Sequence, residues 1–145
     1  MKILSKTSLY GIRASLFVAS MEDGKKYVPI RQISSELGIS FYFLTKILQK
    51  LTHHKIMTSY RGPNGGVALA KPAKDISLMD MITAIEPDEG FDDCILGLDG
   101  CGDAVPCPLH DQWGENRDRI KAMFENTNLA DLGRKIKEDG LRVSM

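Results

Sequence analysis

Apolar positions recur at helical spacing in several stretches of the chain and give way to strand-like alternation in one. Leu9, Ile12, Leu16 and Phe17 mark a first helix that Ser5 can cap and that leaves through Glu22-Asp23-Gly24. After an extended piece at Tyr27-Val28, Pro29 suits a first-turn position. Ile30, Ile33 and Leu37 then form a stripe that Gly38 ends, which predicts a second helix of about nine residues. Ser40 is placed to cap a third helix with Leu44, Ile47, Leu48 and Leu51 inward. Phe41, Tyr42, Thr45, Lys46, Gln49 and Lys50 are left outward. Two short helices joined at Gly38-Ile39 read as a helix-turn-helix.

From Ile56 to Tyr60 the pattern turns β-like, and Val67 to Ala70 is a second short strand. Between them Asn64-Gly65 is a hairpin-turn signal, since both residues tolerate positive φ. A helix-turn-helix followed by a hairpin is a winged helix. Ser77 and Asp80 form a capping-box pattern ahead of Leu78, Met81, Ile82 and Ile85, and Pro87 stops that fourth helix. Residues 87–108 then lose all periodicity while carrying Pro87, Gly90, Gly97, Gly100, Gly102, Pro106 and every cysteine. Long irregular loops in small domains are commonly functional. Beyond Pro108, the positions Leu109, Trp113, Ile120, Met123 and Phe124 predict a long helix with a narrow seam, weakened at Gly114 and interrupted at Asn116. Such a seam suits packing on a symmetry mate. A last short helix begins at Thr127 or Asn128, with Leu129 and Leu132 packing, and the segment past Gly140 frays. The fold class is mainly α with a small β-hairpin wing, a winged helix-turn-helix followed by a long C-terminal dimerisation helix.

Composition changes this picture through the distribution of charge. The 145 residues hold 19 Lys plus Arg and 19 Asp plus Glu, which alone argues against a polyanion partner. Twelve of those bases but only four of the acids fall in residues 1–75, so that part carries +8 and the remainder −8. The split divides the chain into a basic DNA-reading region, 1–75, and an acidic region, 76–145, holding the fourth helix, the cysteine loop and the dimerisation helix. No window approaches the roughly 18 uncharged apolar residues of a spanning helix. The opening Met1-Lys2-Ile3-Leu4-Ser5-Lys6 is broken by charge before a signal-peptide core can form, so a cytoplasmic protein is expected.

The chemistry lies in the loop. Cys94-x6-Cys101-x5-Cys107-x2-His110 supplies three thiolates and an imidazole, a complete four-ligand set for a soft or borderline metal centre. Structural zinc sites favour close cysteine pairs, whereas these wider gaps wrap a larger object, so an iron-sulfur cluster is preferred over one zinc ion. The loop glycines let backbone amides approach the sulfurs. Unlinked cysteines can also be small buried hydrophobes, although a glycine-rich acidic loop is a poor place for that. On the basic side, base and backbone contacts are expected from Arg31, Gln32, Ser40, Phe41, Tyr42, Thr45, Lys46, Gln49 and Lys50. Arg61, Gly62 and Pro63 on the wing are placed to reach a minor groove. His53 and His54 suit the negative end of the helix dipole and form no motif.

Helix-turn-helix, then Ser59-Tyr60-Arg61-Gly62-Pro63-Asn64-Gly65-Gly66-Val67, then three spaced cysteines before a long helix: over about residues 1–132 this resembles a family of bacterial winged-helix regulators. That family includes the iron-sulfur regulator IscR, the nitric-oxide sensor NsrR and the cysteine-metabolism regulator CymR. The resemblance implies a homodimeric transcription factor on double-stranded operator DNA, not an enzyme, paired through the helix around 109–126. It also implies an iron-sulfur cluster, 2Fe-2S ahead of 4Fe-4S, on Cys94, Cys101 and Cys107, with His110 in the place of the histidine that IscR-like members add. The nitric-oxide sensor takes an acid from the partner's first helix, and the equivalent position here is Leu9 beside Ser8. Three further departures mark the chain. Its first cysteine gap is six residues rather than five, a glycine usual after the recognition helix is replaced near Lys55, and Phe41 and Tyr42 differ from the outward residues of the best-known members. Two other classes stay open: a cluster-free regulator using the cysteines as thiol switch or zinc site, and an electron-transfer or interaction module.

Overall fold

The computed structural model describes residues 4–87 and 91–144 and contains six α-helices and one two-stranded hairpin among them. Residues 1–3 of the charged start, 88–90 of the predicted loop with Gly90, and Met145 lie outside the described residues. Helix α1 (Lys6–Ala19) starts where Ser5 caps it, the hydroxyl accepting from the Ser8 N–H at 3.1 Å. It stops well short of Gly24. The Ser20 hydroxyl donates to the Phe17 carbonyl at 2.7 Å, and Glu22 and Asp23 then take positive φ and turn the chain. The buried face of α1 holds Ile12 as predicted, with Leu16 and Phe17 packed at its edge, but it is centred elsewhere. Ser8, Gly11, Ala14, Ser15 and Val18 face inward and Leu9 is exposed, because a helix of small residues lets its neighbours approach closely.

Helix α2 (Ile30–Leu37) follows Pro29 and ends at Gly38, whose φ of 65° is the left-handed turn the motif requires. Helix α3 (Phe41–His53) starts after Ser40. The expected side-chain cap does not form, and Ser40 contributes only its carbonyl, which accepts from the Leu44 N–H at 2.9 Å. At the other end, Lys55 takes the left-handed conformation, φ 61°, and the Ile56 N–H reaches back to the Leu51 carbonyl at 3.0 Å. This six-to-one closure normally uses glycine at that position. Lys55 therefore sits where the sequence lacks the expected glycine.

Strands β1 (Met57–Tyr60) and β2 (Gly66–Leu69) pair antiparallel, Met57 opposite Leu69 and Tyr60 opposite Gly66. The turn differs from the two-residue Asn-Gly type. Positive φ falls on Gly62 and Gly66, not on Asn64 or Gly65, and the Gly65 N–H donates to the Gly62 carbonyl at 3.0 Å. Pro63 in the second position of that turn fixes the chain in a geometry where Asn64 needs no left-handed backbone. Val28 bridges to Val67 with N···O distances of 2.8 and 2.9 Å, seating the wing on the chain that enters α2. A Cβ on Gly66 would lie 2.1 Å from the Val28 carbonyl oxygen, so the approach depends on glycine there.

Helix α4 (Leu78–Ile85) carries the predicted capping box, Ser77 N–H to Asp80 Oδ2 at 2.9 Å and Asp80 N–H to Ser77 Oγ at 3.0 Å. Helix α5 (His110–Asn126) runs unbroken through Asn116, whose side chain donates to the Gln112 carbonyl at 2.9 Å and so leaves the backbone ladder intact. Helix α6 (Leu129–Asp139) is capped by Asn128 and returns to pack on α1. One core spans these elements. Leu44, Ile47, Leu48 and Leu51 of α3 meet Met81, Ile82 and Ile85 of α4, Val18 of α1 and Leu129 of α6, so the charge boundary at residue 75 is not a packing boundary.

Candidate metal centre and nucleic-acid interface

The three cysteines, 13 positions apart at their extremes, come together. Their sulfurs all lie within 4.8 Å of one another, and none is in a disulfide. Cys94 Sγ is 3.6 Å from Cys107 Sγ, and Cys101 Sγ is 3.6 Å from His110 Nδ1. Tight turns make this possible, with Gly97 N–H bonded to the Cys94 carbonyl at 3.0 Å and His110 N–H to the Cys107 carbonyl at 3.0 Å. Trp113 donates from its indole nitrogen to the Asp93 carbonyl at 2.9 Å and pins the arm to the first turns of α5. The half-open cavity between them is about 210 Å³, lined also by Asp92, Gly102, Asp103 and Arg117.

Electrostatics divides the thiols. The Leu98 backbone N–H directed at its sulfur draws the Cys94 thiol from 9.0 down to about 7, against the opposing effect of desolvation. Desolvation pushes the Cys101 thiol upward. The thiolate is the metal ligand, so Cys94 is the readiest of these two. The spacing also suits metal binding. With metal–sulfur bonds near 2.3 Å and tetrahedral angles, two thiolates on one metal stand about 3.8 Å apart, and a thiolate and an imidazole about 3.5 Å. Both 3.6 Å pairs match such edges.

On the basic side, a groove opens between α3 and the wing, lined by Arg31, Phe41, Thr45, Gln49, Arg61 and Gly62 among others. The Arg31 guanidinium lies 4.6 Å over the Phe41 ring, which fixes both at the mouth of α3. Tyr42 is 80% exposed and Lys46 is exposed beside it. Gln32 is exposed on the first turn of α2, Ser40 at the helix-turn-helix corner and Pro63 at the wing tip. Lys50 is not brought to this groove. Its ammonium donates to the Ile85 carbonyl at 3.2 Å, on the last turn of α4. His53, Ser59 and Tyr60 do line the groove. By sequence His53 is only a helix-end cation, and the exposed end of β1, rather than one of its faces, was the signal that could have found Ser59 and Tyr60.

The chain matches, over residues 4–135, the sequence family Rrf2, described as iron-dependent transcriptional regulator. It is 33% identical over 132 residues to the HTH-type transcriptional regulator IscR of Sodalis glossinidius, covering 91% of this chain and 78% of that protein. Among solved structures it is similar to CymR, the global cysteine regulator of B. subtilis, with a TM-score of 0.76 and 22% identity over 92% of this chain and 97% of that one. A second similar structure is T. potens IscR, with a TM-score of 0.74 and 22% identity over 98% and 93%. At these identities the two structures speak for the fold.

Proposed function

Because this chain belongs to the Rrf2 family of transcriptional regulators, we propose that it is a homodimeric, sequence-specific DNA-binding regulator whose operator affinity follows the state of an iron-sulfur cluster on Cys94, Cys101, Cys107 and His110. Its relatives regulate transcription and are not enzymes. The observation that carries the finer reading is the convergence of three thiols within 4.8 Å, with the His110 imidazole beside them, at the N-terminus of α5.

Two separate 3.6 Å pairs, Cys94 with Cys107 and Cys101 with His110, are the side chains that would hold a 2Fe-2S cluster. Gly97 and Gly100, both at positive φ, give the loop the backbone freedom to adjust around a bound group. Such a cluster, when bound, supplies a redox-responsive centre whose charge and occupancy vary with conditions. The chain's own part is transmission. Lys50 ties the recognition helix α3 to the carbonyl of Ile85, and the Ser5 hydroxyl donates to the carboxylate of Glu86, one residue before Pro87 opens the arm. A shift of the arm is thus passed to α3. The long helix α5 buries only Phe124, while Met123 within it and Leu109 just before it are exposed, which supports pairing with a second copy. In a dimer, two recognition helices must match half-sites about 34 Å or a multiple apart, so a small rotation changes affinity. Operator contacts are assigned to Arg31, Gln32, Ser40, Phe41, Tyr42, Thr45, Lys46, Gln49, Arg61, Gly62 and Pro63.

The compactness of the three sulfurs, all within 4.8 Å, favours a second reading in which a single zinc ion takes the site. Anaerobic purification with iron, sulfide and zinc analysis separates the two. The cluster reading expects stoichiometric iron and sulfide with a visible chromophore that Cys101→Ala abolishes; zinc without sulfide overturns it.

A further inference from the structure

Asp103 lies outside the four-ligand set, yet its Oδ1 sits 3.0 Å from His110 Nε2 while the other ring nitrogen, Nδ1, sits 3.6 Å from Cys101 Sγ. A carboxylate oxygen can only accept, so the Nε2 end of the ring carries the hydrogen and the lone pair of the neutral imidazole is left on Nδ1, facing Cys101. Both groups are held for this. The His110 backbone N–H is bonded to Cys107, and Asp103 rides a turn in which the Gly102 N–H reaches the Val105 carbonyl at 3.4 Å. The His110 side chain is only 18% exposed, whereas that of Asp103 is open to water. A ring so enclosed has few other orientations, and a carboxylate on its outer nitrogen selects among them.

We propose that Asp103 is a positioning residue for the metal centre, fixing the His110 tautomer so that His110 binds through Nδ1 on the side of Cys101. The proposal rests on the reading that this Cys/His set holds a metal centre. A carboxylate on the far nitrogen of a ligating histidine fixes its orientation and raises its basicity, and loss of such a partner costs about 10–100-fold in metal affinity. Exposure of Asp103 places the expected effect at the lower end, about tenfold.

The test uses anaerobically purified full-length wild type, Asp103→Ala, His110→Ala and the double variant, with iron and sulfide contents, chromophore half-life under excess chelator, and nitrogen hyperfine coupling of the reduced centre. Asp103→Ala is expected to retain iron and sulfide, to lose its chromophore about tenfold faster, and to show an altered histidine-nitrogen coupling. In the His110→Ala background, removing Asp103 is expected to change nothing further, because it acts through that ring. A wild type that loads while Asp103→Ala matches it in half-life and coupling overturns this inference alone. So does an Asp103→Ala effect that persists without His110. A wild type that takes up no metal overturns the metal-centre reading together with it.

Discussion

In the winged helix, Leu44, Ile47, Leu48 and Leu51 are almost completely buried against α1 and α4, whereas from Phe91 to Asn126 the only described residue that is buried is Phe124. Fully burying a large aliphatic side chain is worth roughly 1.5–3 kcal/mol. The DNA-reading body therefore holds itself by packing, while the cysteine arm has turns, one indole hydrogen bond and the four proposed ligand side chains. An element with few apolar contacts sits at the low end of local stability, which is where a responsive segment has to be. Packing thus fixes the body, whereas the arm, with little apolar burial of its own, is the region whose stability the proposed metal centre would raise most.

Substitutions in the two regions should therefore behave in opposite ways. Leu44→Ala is expected to lose about 2–5 kcal/mol of unfolding free energy. Cys94→Ala, in the arm, is expected to leave the apo protein within about 0.5 kcal/mol of wild type. Chemical denaturation of metal-free protein compares them, and a comparable loss from Cys94→Ala would break the contrast. Gly66→Ala should cost about 1–3 kcal/mol by forcing the wing off Val28, and DNA affinity should fall with it. Lys55→Gly removes a left-handed non-glycine residue and should stabilise the body by about 1 kcal/mol. Thermal melting would reveal that gain. The smallest effect is the most discriminating. Lys46→Ala should reduce the log-log salt slope of operator binding by about 0.9, as a phosphate contact does. Lys50→Met, whose ammonium is engaged by the Ile85 carbonyl, should leave that slope unchanged.

The body was legible in the sequence because its rules are local. The stripe of α3, the capping box of Ser77 and Asp80, and Gly38 between the two short helices each follow from spacing and backbone preference. Where local reasoning failed, a competing partner decided. Ser20 ended α1 before Gly24, Pro63 moved the positive φ away from Asn64, and small residues rather than Leu9 turned inward on α1. Lys50 was placed on the outer face of α3 correctly, but no periodicity could show that the last turn of α4 would meet it there. In the arm, the four candidate ligand residues were readable from their types and spacing, and their side chains lie together. The grouping into two pairs and the Asp103–His110 contact were not, because they depend on turns among glycines without a repeating pattern.

The proposed control of DNA affinity by cluster state, acting through the arm, is open to one binding experiment. It is tested most directly by measuring operator affinity at fixed salt for anaerobically purified, cluster-loaded protein, for the same protein stripped by chelator, and for Cys101→Ala. The stripped protein and Cys101→Ala are expected to share one affinity, different from that of the loaded form, with the salt slope of the basic face present in all three. Equal operator affinity for the loaded and stripped forms, with the chromophore intact in the first and absent in the second, would contradict it.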